Sequence, residues 1–255
     1  MNLKPLYEVT RRDFRNQHLY SDPNDKRFTD VHSVSHFLGV ISKPALVGWA
    51  AREALDGVRR ELYGLLGTKT TAMVELDISW VDDLMDKATA RPEKVKVAAA
   101  DLGTMTHNVA DEFIRTGRLP EDMDPGIKTA VSGFTKWFNV GRKIVAGDTY
   151  VMSKLHRYAG AFDSVITDPD GKLALIDFKT SKSARYTEYA LQTAAYIQAF
   201  KETYGIECER AHVVRFNKVA PVGFEVATVL DHKKSFEAFL HAKNLKENIS
   251  VEHFA

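Results

Sequence analysis

Apolar side chains recur at helical spacing through much of the first half of this chain and alternate through several stretches of the second half. After Pro44, residues Leu46, Trp49, Ala50, Leu62, Leu65 and Leu66 mark one side of a helix, and a proline in a first helical turn forfeits no hydrogen bond. Gly67 can end that helix. A shorter helix is expected within 68–90, after a polar connection. Pro92 opens another long helical stretch, in which Val95, Ala98, Ala99, Leu102, Met105, Val109, Phe113 and Ile114 recur near helical period and Gly117 marks the stop. Asp124 and Pro125 start a further helix bearing Val131, Phe134, Trp137 and Phe138. Ahead of these, residues 1–40 mix polar turns with short extended pieces, including a turn-rich 21–28 and a short strand at 31–35 that leads into a helix.

From Ile144 the period changes, because Thr149, Tyr150, Val151 and Met152 favour extended structure. Two or three strands are expected through Lys179, then a helix over 188–204 closed by Gly205. Two more strands flank an Ala220-Pro221 turn, and a last helix covers 233–248. The pattern predicts an α/β (α+β) chain, read as one domain over 1–255. Its parts would be a mainly helical 1–140, a sheet core over 141–230 and a C-terminal helix within 231–255. No internal repeat or low-complexity linker argues for a boundary.

The strongest local signal is Asp168-Pro169-Asp170-Gly171, where proline presets one turn dihedral and glycine accepts positive φ. It joins 162–166 to 173–179 as a hairpin. On the second strand Leu173, Leu175, Asp177 and Lys179 share one face, and Ala174, Ile176 and Phe178 the other. An acid and a lysine two apart therefore point the same way. A weak salt bridge at a sheet edge is the plain alternative. However, the strand is otherwise apolar, as a buried central strand would be, and buried charge is costly without a reason. A hard cation such as Mg²⁺ or Mn²⁺ held between Asp163 and Asp177, with the Phe178 backbone carbonyl, would supply that reason. One or two such ions would polarise a phosphodiester and acidify a water, with Lys179 stabilising charge on the phosphate.

Composition narrows the setting. Lys+Arg 35 against Asp+Glu 34 leaves a net charge of +1, so any phosphate-binding surface is local. The single Cys208 excludes a disulfide framework and a four-cysteine zinc or iron–sulfur site within one chain. No apolar run approaches the ~20 residues of a membrane span, and the opening lacks the apolar centre of a secretory signal, so a cytoplasmic protein is expected.

Gly160-Ala161-Phe162-Asp163, then Ile176-Asp177-Phe178-Lys179-Thr180-Ser181-Lys182, then Leu191-Gln192-Thr193-Ala194-Ala195-Tyr196 resemble the PD-(D/E)xK nuclease superfamily, and most of all its RecB-type branch of phage and CRISPR-associated exonucleases. The resemblance implies a restriction-endonuclease-like mixed sheet flanked by helices. It also implies Asp163, Asp177 and Lys179 as the catalytic set and a helix presenting Gln192 and Tyr196 to the DNA backbone. Gly103-Thr104-Met105-Thr106-His107 is similar to a segment of that branch whose histidine binds metal, although a lone histidine on a helix is more often a packed residue. Asp111, one turn on, would orient the His107 ring or a water, or simply face solvent. Asp148 stands where many relatives carry a glutamate, and equally reads as a turn aspartate. Lys182 and Arg185 would meet phosphates, or lie in a solvated loop.

The expected activity is thus a Mg²⁺- or Mn²⁺-dependent deoxyribonuclease, exonuclease before endonuclease, in recombination, repair or phage DNA metabolism, without the iron–sulfur cluster of some relatives. With no phosphate-binding loop of the Gly-x-x-x-x-Gly-Lys kind, unwinding would need a helicase or recombinase partner. Two other classes stay open: a silent nuclease-fold protein that binds nucleic acid or a partner, and a phosphatase acting on small phosphates. Oligomeric state is not legible.

Overall fold

The computed structural model describes residues 3–15, 17–67, 78–147, 149–181, 183–216 and 223–249. It divides into two compact units, one of Met1–Ile41 with Met105–Ala255 and the other of Ser42–Thr104.

The chain begins with strands. β1 (Thr10–Phe14), β2 (Gln17–Ser21) and β3 (Val31–His32) form an antiparallel three-stranded sheet. Ser33 then caps α1 (Val34–Leu38) by accepting from the His36 N–H, so the strand expected over 31–35 ends at His32 and the helix takes in Val34 and Ser35. α2 (Pro44–Leu66) starts at its proline and stops at Gly67, whose φ is 58°. α3 (Ile78–Thr116) is one helix of 39 residues with Pro92 inside it, not two helices meeting there. Residues 68–77 lie outside the described residues. The misreading has a simple origin: proline suits a first turn, yet a long helix can lose one backbone bond and continue. Buried Leu84 and Ala88, one turn apart, carry the helix up to it. Within the smaller unit Arg91 pairs with Glu53 at 3.4 Å, tying α3 to α2.

In the larger unit α4 (Pro125–Phe138) is capped by the Asp124 carboxylate, which accepts from the N–H groups of Gly126 and Ile127. There follow β4 (Lys143–Ala146), β5 (Thr149–Ser153), β6 (Tyr158–Phe162), β7 (Ser164–Thr167), β8 (Leu173–Lys179), α5 (Thr187–Tyr204), β9 (Arg210–Phe216), β10 (Phe224–Val229) and α6 (His232–Asn248). The expected Ala220-Pro221 turn lies outside the described residues. Five strands make the main sheet in the order β10-β9-β8-β7-β4. β8 and β9 run parallel, as the α5 crossover requires, and the other pairs are antiparallel. β5 and β6 pair with each other in a separate two-stranded sheet. The fold is a mixed α+β one.

Alternation on β8 sorts the core into two faces. On the side of Leu175, the α5 residues Leu191, Ala195 and Phe200 join Val165, Phe162 and Phe239 in one apolar cluster. On the side of Phe178, the rings of Phe134, Phe178 and Phe216 meet at 5.2–5.7 Å, with Phe113 against Phe134. β8 is therefore covered on both faces, which explains its continuous apolar run.

Candidate active site

The chain passes from the two-stranded sheet to the main sheet in a single bend at Asp163, between β6 and β7. β7 begins at Ser164, opposite Ile176, so Phe178 on β8 has run past the end of its neighbour. Its N–H is not orphaned: it donates to Asp163 Oδ2 at 2.5 Å. In a strand, a residue's N–H and C=O point the same way, so the Phe178 carbonyl faces the same gap as the Asp163 carboxylate.

From the α5 side of β8 come Asp177 and Lys179. Asp177 is buried, and its Oδ2 lies 2.6 Å from Lys179 Nζ. Burial pushes the Asp163 carboxyl well above the usual carboxylate range, and the Asp177 charge pushes it further. The Phe178 N–H and Lys179 oppose that rise, and Asp111 adds to it. Burial would lower the Lys179 pKa, but the ion pair and hydrogen bond with Asp177 more than offset it and the net shift is upward. Lys179 is therefore held as an ammonium, 5.1 Å above the Tyr189 ring.

α5 closes the site from below. Gln192 and Tyr196, four apart, share a face, and Gln192 Nε2 donates to the Tyr196 hydroxyl at 2.8 Å. Tyr196 is buried, and burial first, then the Asp177 charge, hold its pKa well above the ordinary phenol value. Its ring occupies the space that a side chain at Gly160 on β6 would need. Gly160→Ala should therefore force the ring to shift, costing about 1–3 kcal/mol, or a melting point lower by about 2–4 °C per kcal/mol in a chain of this size. Thermal unfolding of the variant checks this, and an unchanged melting point would refute the contact.

Among the other expected residues, His107 lies on α3 with its ring 5.7 Å from the Phe178 ring. That is the opposite face of β8 from the side chains of Asp177 and Lys179. Among the described residues no three imidazole, thiol or carboxylate groups stand together as a ready cation site. Asp111 is close enough for its charge to act on Asp163. Arg185 is exposed and pairs loosely with Glu225 at 3.5 Å. Asp148 and Lys182 lie outside the described residues.

Sequence reading missed three contributions. Tyr189 lies under Lys179, one helical turn before Thr193, and only the helix phase could have shown that. Arg215 on β9 holds the loop after β8 by donating to the Ser181 carbonyl at 3.2 Å and to Glu225 at 2.9 Å. The third is at the far end of the hairpin. Buried Asp168, legible only as a turn residue, takes Arg142 at 3.0 Å, Arg210 at 3.0 Å and His212 at 2.9 Å. These partners are remote in sequence and carry no pattern of their own.

Residues 133–255 match the family model described as the PD-(D/E)XK nuclease superfamily. That stretch is similar to a domain of the PD-(D/E)XK nuclease superfamily. It contains β4 to α6, and with them the bend at Asp163, Asp177, Lys179 and the α5 pair. No curated protein matches the chain. Among solved structures, the crystal structure of SSO0001 is 13% identical, covering 77% of this chain and 84% of its own, with a TM-score of 0.35. A candidate exonuclease from Eubacterium rectale is 14% identical, covering 56% of this chain and 68% of its own, with a TM-score of 0.37. Both superpositions are loose, and the superfamily assignment rests on the sequence match. Among the described residues no helix is long and apolar enough to cross a membrane.

Proposed function

We propose that this chain is a divalent-metal-dependent deoxyribonuclease of the RecB-type branch, acting as an exonuclease with Mg²⁺ or Mn²⁺ on DNA in recombination, repair or phage DNA metabolism. One observation carries the reading: two acids and a lysine gathered at a buried strand end, with one acid raised in pKa first by burial and then by the charge of the other. That cost is unexplained by stability, because a buried carboxylate and a partly buried one beside it repel.

The donor set fits a hard cation. Asp163 and Asp177 would hold it with the Phe178 carbonyl, and His107, which does not stand together with the two acids here, is proposed as a further ligand. When bound, such an ion supplies Lewis-acid polarisation of the phosphodiester and acidifies a water. The chain's own residues do the rest. Lys179, kept cationic by Asp177, is poised to stabilise negative charge developing on the phosphate and is unsuited to act as a base. Tyr196, kept neutral and fixed by Gln192, sets the floor beneath both acids. Exposed Arg185, with Lys182, would meet the DNA backbone.

The test uses linear and covalently closed circular DNA, single- and double-stranded, with Mn²⁺, Mg²⁺ or EDTA, beside Asp177→Ala and Lys179→Ala. Expected is degradation of linear DNA that needs the metal and vanishes in both variants. Cleavage surviving both substitutions overturns the site, and cutting of closed circles replaces exonuclease with endonuclease. Metal-independent DNA binding with no cleavage would favour a silent nuclease-fold binding protein instead.

A further inference from the structure

Beside the proposed site lies a cleft of about 600 Å³, a size suited to one small ligand. One wall is the last part of α3, where Asn108, Asp111, Glu112 and Arg115 recur at three- and four-residue intervals and so share a helix face. Opposite them stand Ile144 on β4 and Ser164, the first residue of β7. The cleft adjoins the catalytic end of the hairpin twice over: Ser164 follows Asp163 in the chain, and Asp111 acts electrostatically on Asp163. Ser164 is fully buried, and among the described residues its Oγ has no hydrogen-bond partner. A buried hydroxyl of that kind costs stability unless something meets it.

We infer that this cleft seats the nucleotide next to the phosphate being cut, with its base against Ile144 and its outer phosphate toward Arg115. The assignment rests on the nuclease reading above and adds the substrate unit the site selects. Charge orders the contacts. Asp111 and Glu112 make the inner wall unsuited to a second phosphate but suited to accept hydrogen bonds from a sugar hydroxyl or a base amino group. Arg115 lies four residues, about 6 Å along the axis, beyond Asp111 and offers a guanidinium for the next phosphate. Ile114 and Ile144 suit the face of a base, while the Asn108 amide and Ser164 hydroxyl can meet its polar edge.

Three variants test this on linear DNA ending either in an ordinary nucleotide or in an abasic one, with Asp177→Ala as the inactive control. Ile144→Trp fills the space for a base and should lower kcat/KM on ordinary ends about a hundredfold, with most of the loss restored on abasic ends. Arg115→Ala should raise KM about tenfold, the loss of one charge-assisted contact, with kcat little changed. Binding of a short single-stranded oligonucleotide in EDTA, read by fluorescence anisotropy, should weaken in Arg115→Ala and Asn108→Ala alike. If wild type cleaves and Asp177→Ala does not, but these variants cleave and bind as wild type does, the cleft assignment falls and the nuclease reading stands. Equal loss by Ile144→Trp on both kinds of end also overturns the cleft assignment. If wild-type protein cuts no DNA under any metal, the nuclease reading falls first and the cleft assignment with it.

Discussion

Asp163→Asn should abolish metal-dependent DNA cleavage while making the metal-free protein more stable. An amide keeps an oxygen to accept the Phe178 N–H, so the bend between β6 and β7 survives. What it removes is a negative charge that burial and Asp177 make costly. Losing a ligand to the proposed cation forfeits several kcal/mol of transition-state stabilisation, or about a thousandfold or more in rate. Relief of the repulsion should add on the order of 1 kcal/mol, a melting-point rise of about 2–4 °C in EDTA.

The pH dependence carries the matching sign. Asp163 is raised in the folded state, so its contribution to stability is fully present below its unfolded pKa and is lost as pH rises through the folded value. Thermal melts in EDTA should therefore show a wild-type deficit on the alkaline side that the asparagine variant lacks. Added Mg²⁺ or Mn²⁺ should close the gap by stabilising wild type alone. A variant that is both active and no more stable than wild type would remove Asp163 from the site.

The largest stability loss should come from the other end of the hairpin. Asp168→Ala strands Arg142 and His212, both mostly buried, without the carboxylate that joins them, and leaves Arg210 its pair with Asp170. Removing one partner of a buried ionic cluster costs about 3–5 kcal/mol, a melting point lower by about 6–20 °C. Burial alone would raise the Asp168 pKa, but His212, Arg210 and Arg142 outweigh it and the net shift is downward. Its contribution is thus present above the unfolded carboxylate pKa and lost as pH falls through the folded value.

His212 is lowered, chiefly by burial. It begins to cost stability earlier, as pH falls below the ordinary histidine value of 6.5. Acid unfolding followed by circular dichroism should show both components in wild type, and the later one should be missing from the variant. Equal acid midpoints would show that the cluster is not what holds this end.

Most of the local structure was legible because it depends on neighbours in sequence. The turn at Gly171, with φ 86°, the helix after it and the alternation of β8 all follow from residue type and period. Asp177 and Lys179 were legible as a pair for the same reason, and the structure puts them in contact. Less legible was whatever depends on residues far apart. Nothing local says that β4 pairs with β7 while β5 and β6 leave the main sheet, since all are short strands with similar patterns. Gly160 was visible as part of a motif, but that its missing side chain admits the Tyr196 ring needs the helix docked. Pro92 misled because its local rule allows two outcomes, and the helix length decides between them.

The bond from the Phe178 N–H to Asp163 bears on how such a protein could decay. A descendant relieved of its chemistry could discard Asp177 and Lys179 together, because each chiefly answers the other's charge. Position 163 has no such freedom, since a strand amide depends on its side-chain oxygen. Among silent relatives of this chain, drift should therefore reach 177 and 179 first, and 163 should settle on asparagine or serine before alanine.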